Sequence, residues 1–204
     1  VEDTPAPEPK KRRKKKLPKV LSRQEAADLL ALANDGTPTG VRDHLILLLM
    51  YRAGLRVSEA VATRPRDVER DGVIHLYDAK GGDGTAYFTP EQVLPALEAY
   101  LALREQWVGP DMSRPLILNP DGSVVTVRYV QRLVARLKAK AGIYGIVTPH
   151  VFRHTFATEL IEDGFPLHEV QRLLRHANIA TTEVYLHVRD ESLRGKMARR
   201  GQSI

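Results

Sequence analysis

The segment Thr148-Pro149-His150-Val151-Phe152-Arg153-His154-Thr155 concentrates groups able to do chemistry. Thr148 suits an N-cap and Pro149 the first helical position, so a helix is expected to begin here. His150 and Arg153 then fall three apart on one face of that helix. A helix N-terminus already favours anions, because its first N–H groups have no partners inside the helix. An imidazole and a guanidinium added to it make a phosphate site, with two parallel donors from the guanidinium. The same pair could also decorate a solvated surface. His150 and His154 have the i, i+4 spacing of a zinc pair. The Glu of an H-E-x-x-H motif is absent, however, and Arg153 would set a fixed cation beside the metal. His154 therefore reads better as a core residue or a support to the site. No metal and no cofactor are expected.

Further on stands Leu173-Leu174-Arg175-His176-Ala177-Asn178-Ile179-Ala180-Thr181-Thr182-Glu183-Val184-Tyr185-Leu186-His187. A tyrosine on a late helix is ordinarily a half-buried packing residue. With His150-x-x-Arg153 before it and His176 nine positions upstream, Tyr185 has other company. This arrangement resembles the second box of the tyrosine recombinases, the family of phage integrases and Xer recombinases. The run Tyr51-Arg52-Ala53-Gly54-Leu55-Arg56-Val57-Ser58-Glu59-Ala60 resembles the family's first box, with Arg56 as its arginine. Asp78-Ala79-Lys80-Gly81-Gly82 is similar to the hairpin that carries the family's lysine. The resemblance covers roughly residues 17–188, with every box in order. Two departures stand out. Arg175 precedes His176 where the family usually has Gly, which could loosen a tight helix end or bring an extra cation to DNA. Asp83 and Thr85 occupy a region that is often more basic.

The resemblance implies a set of roles. Tyr185 would be the nucleophile. A free phenol ionises near pH ~10, so it is a poor nucleophile unless cations favour its phenolate. Arg56 and Arg153 would grip the two non-bridging oxygens of a DNA phosphate, with His176 as a third donor. His150 would take the proton of Tyr185, and Lys80 would give one to the departing 5′-hydroxyl. Glu59, three residues after Arg56, could hold that arginine by a salt bridge. The implied activity is site-specific recombination of double-stranded DNA through a 3′-phosphotyrosyl intermediate, carried out by a homotetramer. A type IB topoisomerase would share this chemistry, and a non-catalytic DNA-binding relative would share the fold.

These groups need elements to bring them together. Ser22 and Glu25 form a capping-box pattern at the start of a first helix. A nearly continuous apolar stretch from Leu45 to Met50 predicts a deeply buried helix over 39–52, ended by Gly54. A short helix follows over 56–63. Residues 73–77 read as a strand and 86–88 as its returning partner, joined by a glycine-rich turn. Pro90 opens a helix to about residue 104. A short strand is possible within 115–125, around an Asp121-Gly122 turn. Thr126 caps a helix to about residue 140, and helical patterns continue from Pro149 almost to the end. The body is thus expected to be mainly α with one small antiparallel sheet. Tyr51, Tyr77, Tyr87, Tyr100, Tyr129 and Tyr144 read as packing residues, and Trp107 as a helix-end or cluster filler.

Composition supports a body with a real core and separate basic ends. The hydrophobic share is 43%. Cysteine is absent, which excludes disulfides and a thiol nucleophile and fits a reducing cytoplasm. No charge-free stretch is long enough for a transmembrane helix. The net charge is +6, but residues 1–19 alone hold eight basic and three acidic side chains. They include the unbroken run Lys10, Lys11, Arg12, Arg13, Lys14, Lys15 and Lys16, and almost nothing apolar. Such a segment reads as a flexible arm or interdomain linker able to grip phosphates, or as a nuclear-import signal or simple solvated linker. The folded body, 20–188, is slightly acidic, so DNA binding there rests on particular residues. Residues 189–204 read as a basic helical tail, with Leu193 and Met197 four apart. The resemblance implies that such a tail docks on a neighbouring subunit. Val1 in place of Met suggests a fragment or processed product, with an N-terminal core-binding domain expected before it.

Overall fold

The computed structural model describes residues 19–77 and 82–175. Lys80, His176, Tyr185, the basic run 10–16 and the tail 189–204 lie outside them. The described chain is mainly helical, with a two-stranded antiparallel sheet. No helix among the described residues is long and apolar enough to cross a membrane.

Local signals start the helices. In α1 (Arg23–Ala33) the Ser22 hydroxyl accepts from the Glu25 N–H, and the Glu25 carboxylate accepts from the Ser22 N–H. Two otherwise partnerless donors are satisfied reciprocally. α2 (Pro38–Arg52) begins one residue earlier than its apolar pattern indicates, because the Thr37 hydroxyl accepts from Gly40 N–H and Pro38 fits the first turn. Every residue from Leu45 to Tyr51 in α2 is buried. The helix packs on α1, on α4 (Pro90–Val108) and on α6 (Pro149–Glu162), which explains its near all-round apolarity. The short α3 (Val57–Ala62) follows after Gly54 and Leu55.

Strand β1 (Val73–Leu76) alternates as expected, with Ile74 and Leu76 turned into the core. Its partner β2 (Gly84–Tyr87) lies two residues earlier than the 86–88 expected at its start, with Val73 opposite Tyr87 and Leu76 opposite Gly84. α4 runs to Val108 rather than residue 104, and continues through Pro95. Tyr100 inside it donates to the Leu118 carbonyl and meets Trp107 edge-on at 6.0 Å. The possible strand in 115–125 is reduced to one bridge, Leu118 to Val124, around a turn closed by Asp121 and Asn119. α5 (Val127–Lys140) is capped by Thr126 and buries Val130, Leu133, Val134 and Leu137 as one stripe. A second small cluster joins α6 to α7 (Leu167–Leu173) through Ala157, Ile161, Val170 and Leu174.

The tyrosines divide differently from the packing role read from sequence. Tyr77, Tyr87 and Tyr144 are exposed, Tyr144 by 91%. Tyr129 donates to Asp43, beside the buried Arg42, and so joins a polar network between α2 and α5. Tyr51 is buried, as expected, and its hydroxyl donates to Glu159 at 2.5 Å.

Candidate active site

Three chain segments meet around Arg153 of α6. The first is the turn from α2 into α3. Gly54 there has φ +60°, and an added Cβ would lie 2.5 Å from the Phe156 ring of α6, so glycine alone lets the turn close on that helix. This close approach delivers the Gly54 carbonyl to Arg153, whose Nη1 donates to it at 2.6 Å. The second segment is the C-terminal end of α7, where the Leu174 carbonyl accepts from Arg153 Nη2. Arg153 is itself buried in α6. Its guanidinium therefore staples two turns, one leading into Arg56 and the other into His176 in the sequence.

The third component is Glu59. Its side chain is only 3% exposed and lies within ion-pair distance of three guanidinium groups. Oε1 accepts from Arg56 Nη1 at 2.6 Å. Oε2 accepts from the Arg56 backbone N–H at 2.7 Å and from Arg175 Nη2 at 2.7 Å. Arg153 Nη1 stands 3.8 Å from the same Oε2. The bond to the Arg56 N–H is half of a capping box, so the sequence spacing Arg56-x-x-Glu59 both starts α3 and seats the carboxylate. Burial raises the Glu59 carboxyl, but the Arg175 charge, the Arg56 N–H and the Arg56 guanidinium outweigh it and hold it below the usual carboxylate range. An ionised Glu59 among three guanidiniums leaves two positive charges in excess. Such an excess in a partly dry site is suited to an anion with several acceptor oxygens.

His150 lies in the first turn of α6, three residues before Arg153, and is exposed. Thr148 occupies the N-cap position with extended backbone, though its hydroxyl makes no capping bond, and Pro149 takes the first helical position. His154 is half-buried, and burial, then the charges of His150 and Arg153, push its imidazole toward the neutral form. Among the described residues no group of three or more His, Cys, Asp or Glu is placed to hold a metal ion.

Arg56, Glu59 and Arg153 thus come together, with His150 on the same helix as Arg153. The sequence pairing of Glu59 with Arg56 alone understates its role, because Arg175 and Arg153 share the carboxylate. Arg175 turns its guanidinium inward, onto Glu59, the Thr85 carbonyl and the Leu173 carbonyl. Glu59 and Arg175 are 116 positions apart, so no local pattern signals their contact. Lys80, His176, Tyr185 and Lys10, Lys11, Arg12, Arg13, Lys14, Lys15 and Lys16 fall outside the described residues.

Comparison with known proteins gives a consistent picture. The Phage integrase family profile matches residues 19–192. The chain is 38% identical over 182 residues to the tyrosine recombinase XerA of Thermococcus kodakarensis, covering 87% of this chain and 61% of that protein. It therefore spans about three fifths of the length of that curated relative. A crystal structure of XerA recombinase superposes with a TM-score of 0.76 at 31% identity, covering 90% of this chain and 65% of that one. The XerH site-specific recombinase, in a post-cleavage complex with palindromic difH substrate, gives a TM-score of 0.75 at 25% identity, over 90% and 53% of the two chains.

Proposed function

The chain belongs to the phage integrase family, and from that premise we propose that it cuts and rejoins double-stranded DNA at specific sites as a tyrosine recombinase. The observation that carries this function is the set of three guanidiniums on one buried carboxylate, with two positive charges left over for a phosphate.

In the proposed reaction the Tyr185 phenol oxygen attacks the scissile phosphorus, and the bond from phosphorus to the 5′-oxygen breaks. The phenol proton passes to the imidazole of His150, which has a ring nitrogen able to accept it. A proton from Lys80 goes to the departing 5′-oxygen. Arg56, Arg153 and His176 stabilise the charge that builds on the non-bridging oxygens. The products are a 3′-phosphotyrosyl strand and a free 5′-hydroxyl. Attack by another 5′-hydroxyl reverses each step and restores the phosphodiester. One ester replaces another, so the bond energy is kept and no nucleotide is hydrolysed.

The basic run 10–16 would add phosphate contacts whose strength falls with salt, because each releases condensed counterions. A homotetramer on DNA, with the tail 189–204 docked on a neighbour, completes the proposal. In this scheme 20–188 is the catalytic unit.

The test is incubation with nicked suicide duplexes followed by denaturing electrophoresis. A covalent protein–DNA band is expected from the wild-type chain and lost in Tyr185→Phe. Joined products confined to particular sites mark a recombinase. Relaxation of plasmids lacking any such site would mark a topoisomerase instead. DNA binding with no adduct at all would mark a non-catalytic protein.

A further inference from the structure

Arg175 sits where a helix ends. α7 closes at Leu173, Leu174 keeps right-handed backbone, and Arg175 turns to φ +51°. It is the one non-glycine residue with positive φ among the described residues. The residue just past a helix end that turns left-handed is commonly glycine, because a Cβ there crowds the next carbonyl. This chain accepts the crowding and places a long cation at that point.

The side chain is not spread over the surface. It is 13% exposed. Nη2 donates to Glu59 Oε2 at 2.7 Å, and Nη1 reaches the Thr85 carbonyl of β2 at 3.4 Å. The Arg175 carbonyl accepts from Arg56 Nη2 at 3.4 Å. The aliphatic part lies over Gly84, where an added Cβ would come within 2.8 Å of Arg175 Cδ. One residue thus touches α3, β2 and the end of α7.

We infer that Arg175 is a positioning residue: its guanidinium holds Glu59 Oε2 and the Thr85 carbonyl together, and so fixes α3 and the β1–β2 hairpin against the end of α7. The role rests on the recombinase function proposed above. Arg153 Nη1 already stands 3.8 Å from Oε2, held back by its bonds to the Gly54 and Leu174 carbonyls. With Arg175 gone, Oε2 loses its guanidinium donor, and α3 is no longer tied to β2 and the end of α7 through this side chain. The cluster would also fall from three guanidiniums per carboxylate to two. Lys80 lies in the connection between β1 and β2, and His176 directly follows Arg175 in the chain. The two contacts of Arg175 therefore flank, in sequence, two proposed catalytic groups.

The test uses the 204-residue chain and a nicked duplex, selected from a randomised pool by covalent capture with wild-type protein. Three quantities are compared: the single-turnover rate of adduct formation, the Kd for the same duplex without the nick, and the melting temperature. Arg175→Gly removes the guanidinium and at the same time relieves the left-handed backbone. It is expected to slow cleavage by about tenfold or more, while DNA affinity stays within about threefold. Arg175→Lys keeps the charge on a flexible stem and is expected to recover part of the rate. Gly84→Ala leaves Arg175 in the chain but displaces its Cδ, and is expected to slow cleavage by a smaller factor. Wild-type cleavage by Arg175→Gly overturns the inference. So does a loss of affinity as large as the loss of rate, which would make Arg175 a direct DNA contact. Equal slowing of the Gly and Lys variants, with early melting of both, would reduce the residue to a fold support and overturn it too. If the wild-type chain captures no duplex, the recombinase function itself falls, and the role of Arg175 with it.

Discussion

Replacing Glu59 by Gln removes one charge and almost no volume, so it isolates the electrostatics of the site. Two oxygens of Glu59 now serve three short bonds, from the Arg56 N–H, Arg56 Nη1 and Arg175 Nη2. A Gln amide must turn its NH₂ toward at least one of those donors. Three guanidiniums would then share the site without a counter-charge. Breaking a buried ion pair by removing one partner costs about 3–5 kcal/mol. The Arg56 side chain is 23% exposed and can swing partly into water, which argues for the lower end, about 3 kcal/mol. With a urea dependence near 2 kcal/mol/M for a chain of this size, the unfolding midpoint should fall by about 1.5 M. The melting temperature should fall by roughly 6–12 °C. The effect has a pH signature. The Glu59 carboxyl is held below its ordinary value in the folded state. Its stabilisation is therefore present in full above the unfolded value, about 4.3, and is lost as pH falls through the lower folded value. Urea titrations of both proteins from pH 7 down to pH 3 should show the gap narrowing below about pH 4.3. Midpoints that coincide at pH 7, or a gap that widens in acid, would refute the reasoning.

Other consequences follow from neighbouring contacts. Arg153→Met leaves the Gly54 and Leu174 carbonyls without their donor, and should cost about 2–4 kcal/mol in urea unfolding; a cost under about 0.5 kcal/mol would mean that water reaches both oxygens. Tyr51→Phe removes the bond to Glu159 and should cost about 1–2 kcal/mol by the same measurement. Burial and the Glu159 bond push the Tyr51 phenol up to about 12, so a difference titration at 295 nm against Tyr51→Phe should show no Tyr51 ionisation below about pH 11.

Features set by neighbours along the chain are legible in the sequence. Ser22 with Glu25, and Thr126, begin helices where their spacing indicates, because each cap is closed within three residues. The apolar run of α2 announces a helix buried on most sides. Features set by distant partners are less so. β2 starts at Gly84 because Leu76 pairs there, and the glycine-rich turn hides that register. α4 continues past residue 104, where the sequence has no strong stop before Gly109. Tyr129 looks like any packing aromatic until Asp43 comes beside it. Arg175 is the sharpest case. Its place before His176 draws notice only as a departure from the family's glycine. That its charge turns inward depends on Glu59, which the fold alone brings near.

The central claim is that Tyr185 becomes covalently joined to a 3′-phosphate of DNA. Mass spectrometry of the trapped adduct after nuclease and trypsin digestion tests it most directly. Trypsin should release residues 176–189, in which Tyr185 is the one tyrosine. The predicted result is a nucleotide esterified through its 3′-phosphate to Tyr185 in that peptide, with a free 5′-hydroxyl on the released strand. An adduct on any other residue, or a linkage through a 5′-phosphate, would contradict the account.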